Sequence, residues 1–212
     1  VIITLIATQI SVSALATSNN STMEFRAINI TSDLVTLYRT TNSQDEFKSM
    51  IGEVYETDIN TPGYLLAGSI YGPSYISFEY ALSYYGLIPE RVNVVTCATL
   101  NKKKKKKYNT YFGTFTYRDI PSLAYPEQVI LMNEGHYSYQ IATKEKALCD
   151  KLYTLKPLKN YTNLENMLFN DLRIDKEEFS KLNAEAIENL SKLYHATNVS
   201  LLAKYMKGGK YE

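Results

Sequence analysis

Gly72–Val92, GPSYISFEYALSYYGLIPERV, runs on through Val92–Asp119, VNVVTCATLNKKKKKKYNTYFGTFTYRD, and this stretch decides the fold. Ser77 is placed to cap a short helix over 77–86, because Phe78, Ala81, Leu82 and Tyr85 recur at the spacing that gathers apolar side chains on one helical face. Gly86 can adopt the left-handed turn that stops the helix, and Pro89 follows. After Arg91 the period changes to two: Val92, Val94 and Thr96 fall on one side of a strand, Asn93, Val95 and Cys97 on the other. Phe112–Arg118 alternates again. The sequence therefore predicts a long β-hairpin over 92–118, with Lys102–Lys107 at its tip and Arg91 and Arg118 at its base.

The flanks supply further elements. Tyr64–Ile70 reads as a helix after the Thr61-Pro62-Gly63 turn, and His136–Ile141 as a strand. Thr143 is placed to cap a helix through Leu155 whose stripe is Ala147, Leu148, Leu152 and Leu155, with Pro157 as its stop. In the C-terminal third, Asn163 is expected to cap 164–170, and Asp175 with Glu178 forms an acidic capping box. That box would open one long helix carrying Phe179, Leu182, Ala186, Leu190 and Leu193. Asn198 is expected to cap a last helix ending near Gly208. The predicted fold is α/β or α+β: a small mixed or antiparallel sheet with a basic hairpin, packed by helices, and a helical C-terminal extension.

Composition excludes a disordered chain, since 212 residues with 45% hydrophobic and 12% aromatic content can bury a core for one ample domain or two small ones. A net charge of +1 conceals an asymmetry: 3 basic and 9 acidic groups in 1–90, 13 and 5 in 91–160, 7 and 8 in 161–212. The cationic middle suits phosphate backbones or an acidic partner. Cys97 and Cys149 are too few and too far apart for a disulfide framework or a metal site, so buried thiols in a reducing compartment, the cytoplasm, are expected. Val1–Ala16 is apolar and ends in an A-x-A pattern, but it lacks a positive n-region and is too short to span a bilayer. The expectation is that the natural start is Met23 or that the first residues are foreign to the rest, with no membrane partner.

Six consecutive lysines with Arg91 and Arg118 nearby and Tyr108, Tyr111 and Tyr117 interleaved predict a surface that grips DNA or RNA by charge and stacking. The competing reading is a solvated edge that binds nothing in particular. Lys144 and Lys151, seven residues apart, either face the same phosphates or extend long stems past the core. Catalytic signatures fail. Gly68-Ser69 lacks a following Asp-x-Asp, Glu46-Phe47-Lys48 lacks the strand and preceding acid of a nuclease, and His136 and His195 have no partner at metal or triad spacing. No catalytic residue, metal or cofactor is expected.

PSYISFEYALSYYGLIPE (73–90), VVT (94–96), a basic stretch, FGTFTYRDI (112–120) and IATKEKALCDKLY (141–153) resemble, in order and spacing, the C-terminal domain of the AbiEi family over Tyr55–Leu155. These are antitoxins of a type IV toxin–antitoxin and phage abortive-infection system. The resemblance implies an antitoxin that counters a nucleotidyltransferase toxin without necessarily touching it, and that represses its own operon in full-length relatives. Such relatives carry a winged helix-turn-helix first. Here 23–55 holds Arg26, Arg39 and Lys48 against Glu24, Asp33, Asp45, Glu46 and Glu53, which does not suit a recognition helix. Residues 1–54 are thus expected to be a divergent segment with a lost or degenerate winged helix, and 55–212 the antitoxin-like domain; Leu34, Val35, Leu37 and Tyr38 are expected to form a short helix after Ser32. Two alternatives stay open: a nucleic-acid-binding regulator that uses the basic hairpin, and a degenerate remnant.

Overall fold

A computed structural model describes residues 60–135 and 137–208 in full, and the backbone of three strands before them, β1 (Ser13–Ser18), β2 (Ser21–Thr31) and β3 (Leu34–Thr40). The chain divides into two compact units, Val1–Thr61 with Asn133–Tyr137, and Pro62–Met132 with Ser138–Glu212. In the first unit β1–β2–β3 form an antiparallel sheet, and β2 carries an irregularity between Ala27 and Asn29. The helix expected over Leu34–Tyr38 is replaced by β3. Leu34, Val35, Leu37 and Tyr38 satisfy a helical pattern on paper, but the β-branched and aromatic content of LVTLYRT suits a pleated ladder, and pairing with β2 decides it.

The second unit is built on a six-stranded mixed sheet of order β6-β7-β5-β4-β9-β8. Its strands are β4 (Ser74–Ile76), β5 (Val95–Thr99), β6 (Lys106–Thr110), β7 (Gly113–Asp119), β8 (Val129–Glu134) and β9 (Tyr137–Ala142). β4 pairs antiparallel with β5 and parallel with β9. The row Ile141, Ile76, Cys97, Tyr117 crosses four strands in register and is 0–1% exposed throughout. Helix α1 (Gly63–Ile70) forms where a helix over Tyr64–Ile70 was expected, and it lies on this face: the Tyr117 hydroxyl donates to the Ala67 carbonyl at 2.8 Å. At Gly63 the approach is so close that a Cβ would stand 2.2 Å from the Phe112 carbonyl oxygen. Cys97 is buried and free, as is Cys149, and burial pushes both thiols well above their ordinary pKa.

The opposite face takes α2 (Phe78–Tyr84) and α3 (Lys144–Tyr153). Gly86, at φ +70°, ends α2 as expected, with Leu87 N–H reaching back to the Leu82 carbonyl at 2.9 Å. The start of α2 differs from expectation. Ser77 occupies the N-cap position but makes no side-chain cap; its Oγ donates instead to Asp150 of α3 at 2.6 Å. The turn from β4 into α2 is sharp enough to force Phe78 to φ +54°, a conformation that burial of its ring must over-determine. Thr143 caps α3 as predicted, accepting from Lys146 N–H at 3.2 Å.

Helices in the C-terminal third are shorter and capped differently than the period suggests. Asn160, not Asn163, caps α4 (Tyr161–Glu165), which widens directly into a π-helical turn over Asn166–Asp171. Asp175 caps α5 (Lys176–Ser180) as expected, but α5 stops at once and Asn183 caps a new helix, α6 (Ala184–Tyr194). Phe179, Leu182 and Leu190 of the expected 3-4 stripe are buried, but Ala186 and Leu193 are only half-buried, and Ile187 and Tyr194 take the core positions of α6 instead. Helix α7 (Thr197–Lys207) ends at Gly208 as predicted, yet Asn198 is not its cap. Buried Asn198 donates through Nδ2 to the carbonyls of Leu152 and Lys156, both at 3.0 Å, and accepts Leu158 N–H at 2.7 Å, so it satisfies the open end of α3.

Candidate nucleic-acid interface

The expected 92–118 hairpin does not form as one piece. β5 and β7 run parallel, with Val95 opposite Phe115 and Thr99 opposite Asp119, and the hairpin is β6–β7, closed at Tyr111-Phe112. Residues 100–105 therefore carry the chain from the end of β5 across the end of β7 to the outer edge, where β6 begins. Lys102–Lys105 form this crossover, and Lys106 and Lys107 lie in the edge strand. The period-two pattern identified the strands but held no information on which pair would touch; inserting β7 buries Phe115 and Tyr117, which an outer position would expose.

Asp119 organises the crossover. Its carboxylate accepts Thr99 Oγ1–H at 2.6 Å and Lys103 N–H at 2.5 Å, which fixes Lys103 in a left-handed conformation at φ +58°. Partial burial would raise its pKa, but the hydrogen bonds from Thr99 and from the Lys103 and Lys102 amides outweigh it and hold the carboxyl below its ordinary value. Lys103, Lys104, Lys105 and Arg118 surround a groove of about 320 Å³ whose remaining wall is Asp119 itself with Tyr153 and Thr154 at the end of α3. Tyr153 is 38% exposed and lines the groove beside four cations. Charge for a phosphate and an aromatic surface for a sugar or base thus share one concavity.

Not every predicted residue joins this groove. Lys102 turns to the α1 face, its Nζ 4.9 Å from the centre of the Tyr71 ring, and Tyr108 packs there against Tyr71 and Tyr117. Tyr111 is 79% exposed but sits at the other end of β6 from the crossover. Arg91, exposed, precedes the start of β5; because β5 and β7 are parallel, it and Arg118 belong to opposite ends of the sheet and make no common base. Lys151 is paired with Glu79 of α2, and burial, which would raise the Glu79 pKa, is overcome by that pair and by the nearby Arg118. Lys144 stands at the first turn of α3, about 10 Å from Lys151 at the helical rise.

Sequence reasoning missed the polar centre behind the groove. Lys146 and Asp150 are fully buried, with Nζ 3.7 Å from Oδ1. Asp150 accepts the hydroxyls of Tyr75 (3.0 Å), Ser77 (2.6 Å) and Tyr194, and Lys146 donates to the Ala124 carbonyl and lies over the Tyr194 ring. Burial raises the Asp150 pKa against the pull of Lys146 and the three hydroxyls, and burial lowers that of Lys146 against the pull of Asp150. Helix α3 is buried on almost every side, so an apolar stripe could not mark these two residues as core.

Among the described residues no group of His, Cys, Asp and Glu could hold a metal ion, and no helix is long and apolar enough to cross a membrane. His136 and Glu46-Phe47-Lys48 lie outside the described residues, and His195 is exposed at the end of α6. No family model matches the chain, and neither a curated protein nor a solved structure matches it at a significant level.

Proposed function

We propose that the chain is an antitoxin of the AbiEi kind, countering a nucleotidyltransferase toxin in the cytoplasm through a non-catalytic, phosphate-binding surface centred on Lys103, Lys104, Lys105 and Arg118. One observation carries the reading: the separated blocks that resemble the family converge in space. β4 and α2 supply Tyr75 and Ser77, β5 supplies Thr96, which donates to the Ser77 carbonyl at 2.5 Å, β7 supplies Arg118 and Asp119, and α3 supplies Asp150 and Tyr153. The groove opens where the β7 and α3 blocks meet the lysine run. Nucleic acid is the phosphate-bearing partner that suits four cations beside a tyrosine.

The deciding experiment is co-expression with a nucleotidyltransferase toxin of the kind that the resemblance implies. Growth restored by the parent chain and lost with Lys103, Lys104 and Lys105 changed to Gln supports the reading. No rescue by the parent overturns it. A plain nucleic-acid-binding regulator is the second reading, favoured by the same groove, and salt-sensitive DNA binding without growth rescue would select it.

A further inference from the structure

A second hollow, of about 410 Å³, lies in the C-terminal helices, well within the range of about 300–1,000 Å³ that holds small ligands. Its aromatic lining is half-buried Phe169, which meets the buried Phe179 edge-on with ring centres 5.3 Å apart, and buried Tyr205. Its rim is polar and carries Asn166, Asn170 and Lys176. The side of the hollow is the π-helical turn Asn166–Asp171, closed by Leu172 N–H on the Met167 carbonyl at 2.9 Å. Such wide turns are rare and concentrate at functional sites.

The turn brings two exposed amides together, with Asn170 Nδ2 donating to Asn166 Oδ1 at 2.8 Å. Asn170 keeps Oδ1 and its second N–H for a ligand, the acceptor–donor pair that reads the N6/N7 edge of adenine. Lys176 Nζ lies 5.5 Å from the centre of the Phe169 ring, a contact it can exchange for a phosphate because the side chain is otherwise in solvent. Glu165 already accepts the Tyr205 hydroxyl at 2.8 Å and retains carboxylate lone pairs for a ribose hydroxyl. A flat ring for Phe169, an amide-like edge for Asn170 and an anion for Lys176 describe one chemical class. We propose that this hollow binds an adenine nucleotide, free or as a base within a strand. The site goes beyond the antitoxin function and does not depend on it.

Calorimetric titration of the full chain with AMP, adenosine, UMP and a short oligoadenylate tests this. AMP should bind saturably, UMP more weakly by about tenfold or more, as expected when a polar edge is left unmatched. Asn170→Ala should weaken AMP and adenosine alike by about tenfold. Lys176→Gln should weaken AMP and leave adenosine unchanged. Both side chains are exposed, so the variants should melt with the parent. Oligoadenylate binding that the same two substitutions weaken, without AMP binding, would support the base chemistry with a strand as its source. Equal affinity for AMP and UMP, binding of AMP or oligoadenylate that neither substitution changes, or no binding of any probe at about 5 mM, beyond even weak millimolar affinity, would overturn the proposal.

Discussion

Replacing Lys146 and Asp150 singly and together probes the buried centre that joins three elements of the second unit. Asp150→Leu strands a fully buried ammonium and three hydroxyls, those of Tyr75, Ser77 and Tyr194. Leaving one member of a buried ion pair uncompensated costs about 3–5 kcal/mol. At about 2–4 °C per kcal/mol for a chain of this size, the melting temperature should fall by roughly 6–20 °C. Lys146→Met should cost less, about 2 kcal/mol, because Asp150 keeps three hydroxyl donors and can also accept a proton, its pKa being already raised by burial. The double variant removes both charges, so its loss should fall short of the sum of the single losses by about 1–3 kcal/mol. Urea unfolding of the four proteins measures this coupling, and Asp150→Asn substitutes if the leucine variant does not fold. Additivity within about 0.5 kcal/mol would refute the claim that the two charges stabilise each other.

Three other outcomes are expected. Glu79 has a folded pKa held below its ordinary 4.5, so its pair with Lys151 stabilises above that value and fades as pH falls through the lower folded one. The stability gap between the parent and Glu79→Gln, about 1 kcal/mol near neutrality, should therefore close in acid, and a gap that widens in acid would contradict the pairing. Changing Lys103, Lys104 and Lys105 to Gln should lower the log–log salt slope of nucleic-acid binding by about 0.7–0.9 for each phosphate no longer neutralised, with melting unchanged because these side chains are exposed. Gly63→Ala drives a methyl into the Phe112 carbonyl and should cost about 1–3 kcal/mol in denaturant unfolding; a neutral result would mean that α1 shifts freely over the β6–β7 turn.

Local signals in the sequence were legible where one side chain decides the outcome. Gly86 at the end of α2, Thr143 at the start of α3 and Asp175 at the start of α5 all act as their chemistry predicts. Errors came where a distant partner outcompeted the local one. Ser77 occupies a cap position and Asn198 the second position of α7, and Asp150 and the open end of α3 engage their side chains. Strand order was illegible for a related reason. Alternation reports that a segment is pleated, and the choice between β5 next to β6 and β5 next to β7 is made by which arrangement buries Phe115 and Tyr117. Of the residues expected in the basic surface, Lys103–Lys105 and Arg118 meet, and Asp119, Tyr153 and Thr154, which the sequence reading did not single out for the surface, complete the groove.

The crossover also bears on how this gene can drift. Residues 100–105 must pass over one strand to reach the next, two strand spacings or about 10 Å, and six residues can reach about 20 Å when extended. Gain or loss of whole lysine codons within the run changes its length. Each such event leaves lysine at the two strand positions of β6, because a neighbour moves into the place of the residue added or removed, and Asp119 holds a backbone N–H that any lysine can present. The change in length is absorbed by slack in the connection, so the register of Tyr108 against Phe115 is preserved. Natural variants of this gene should accordingly differ in the number of lysines more freely than in any residue on either side of the run.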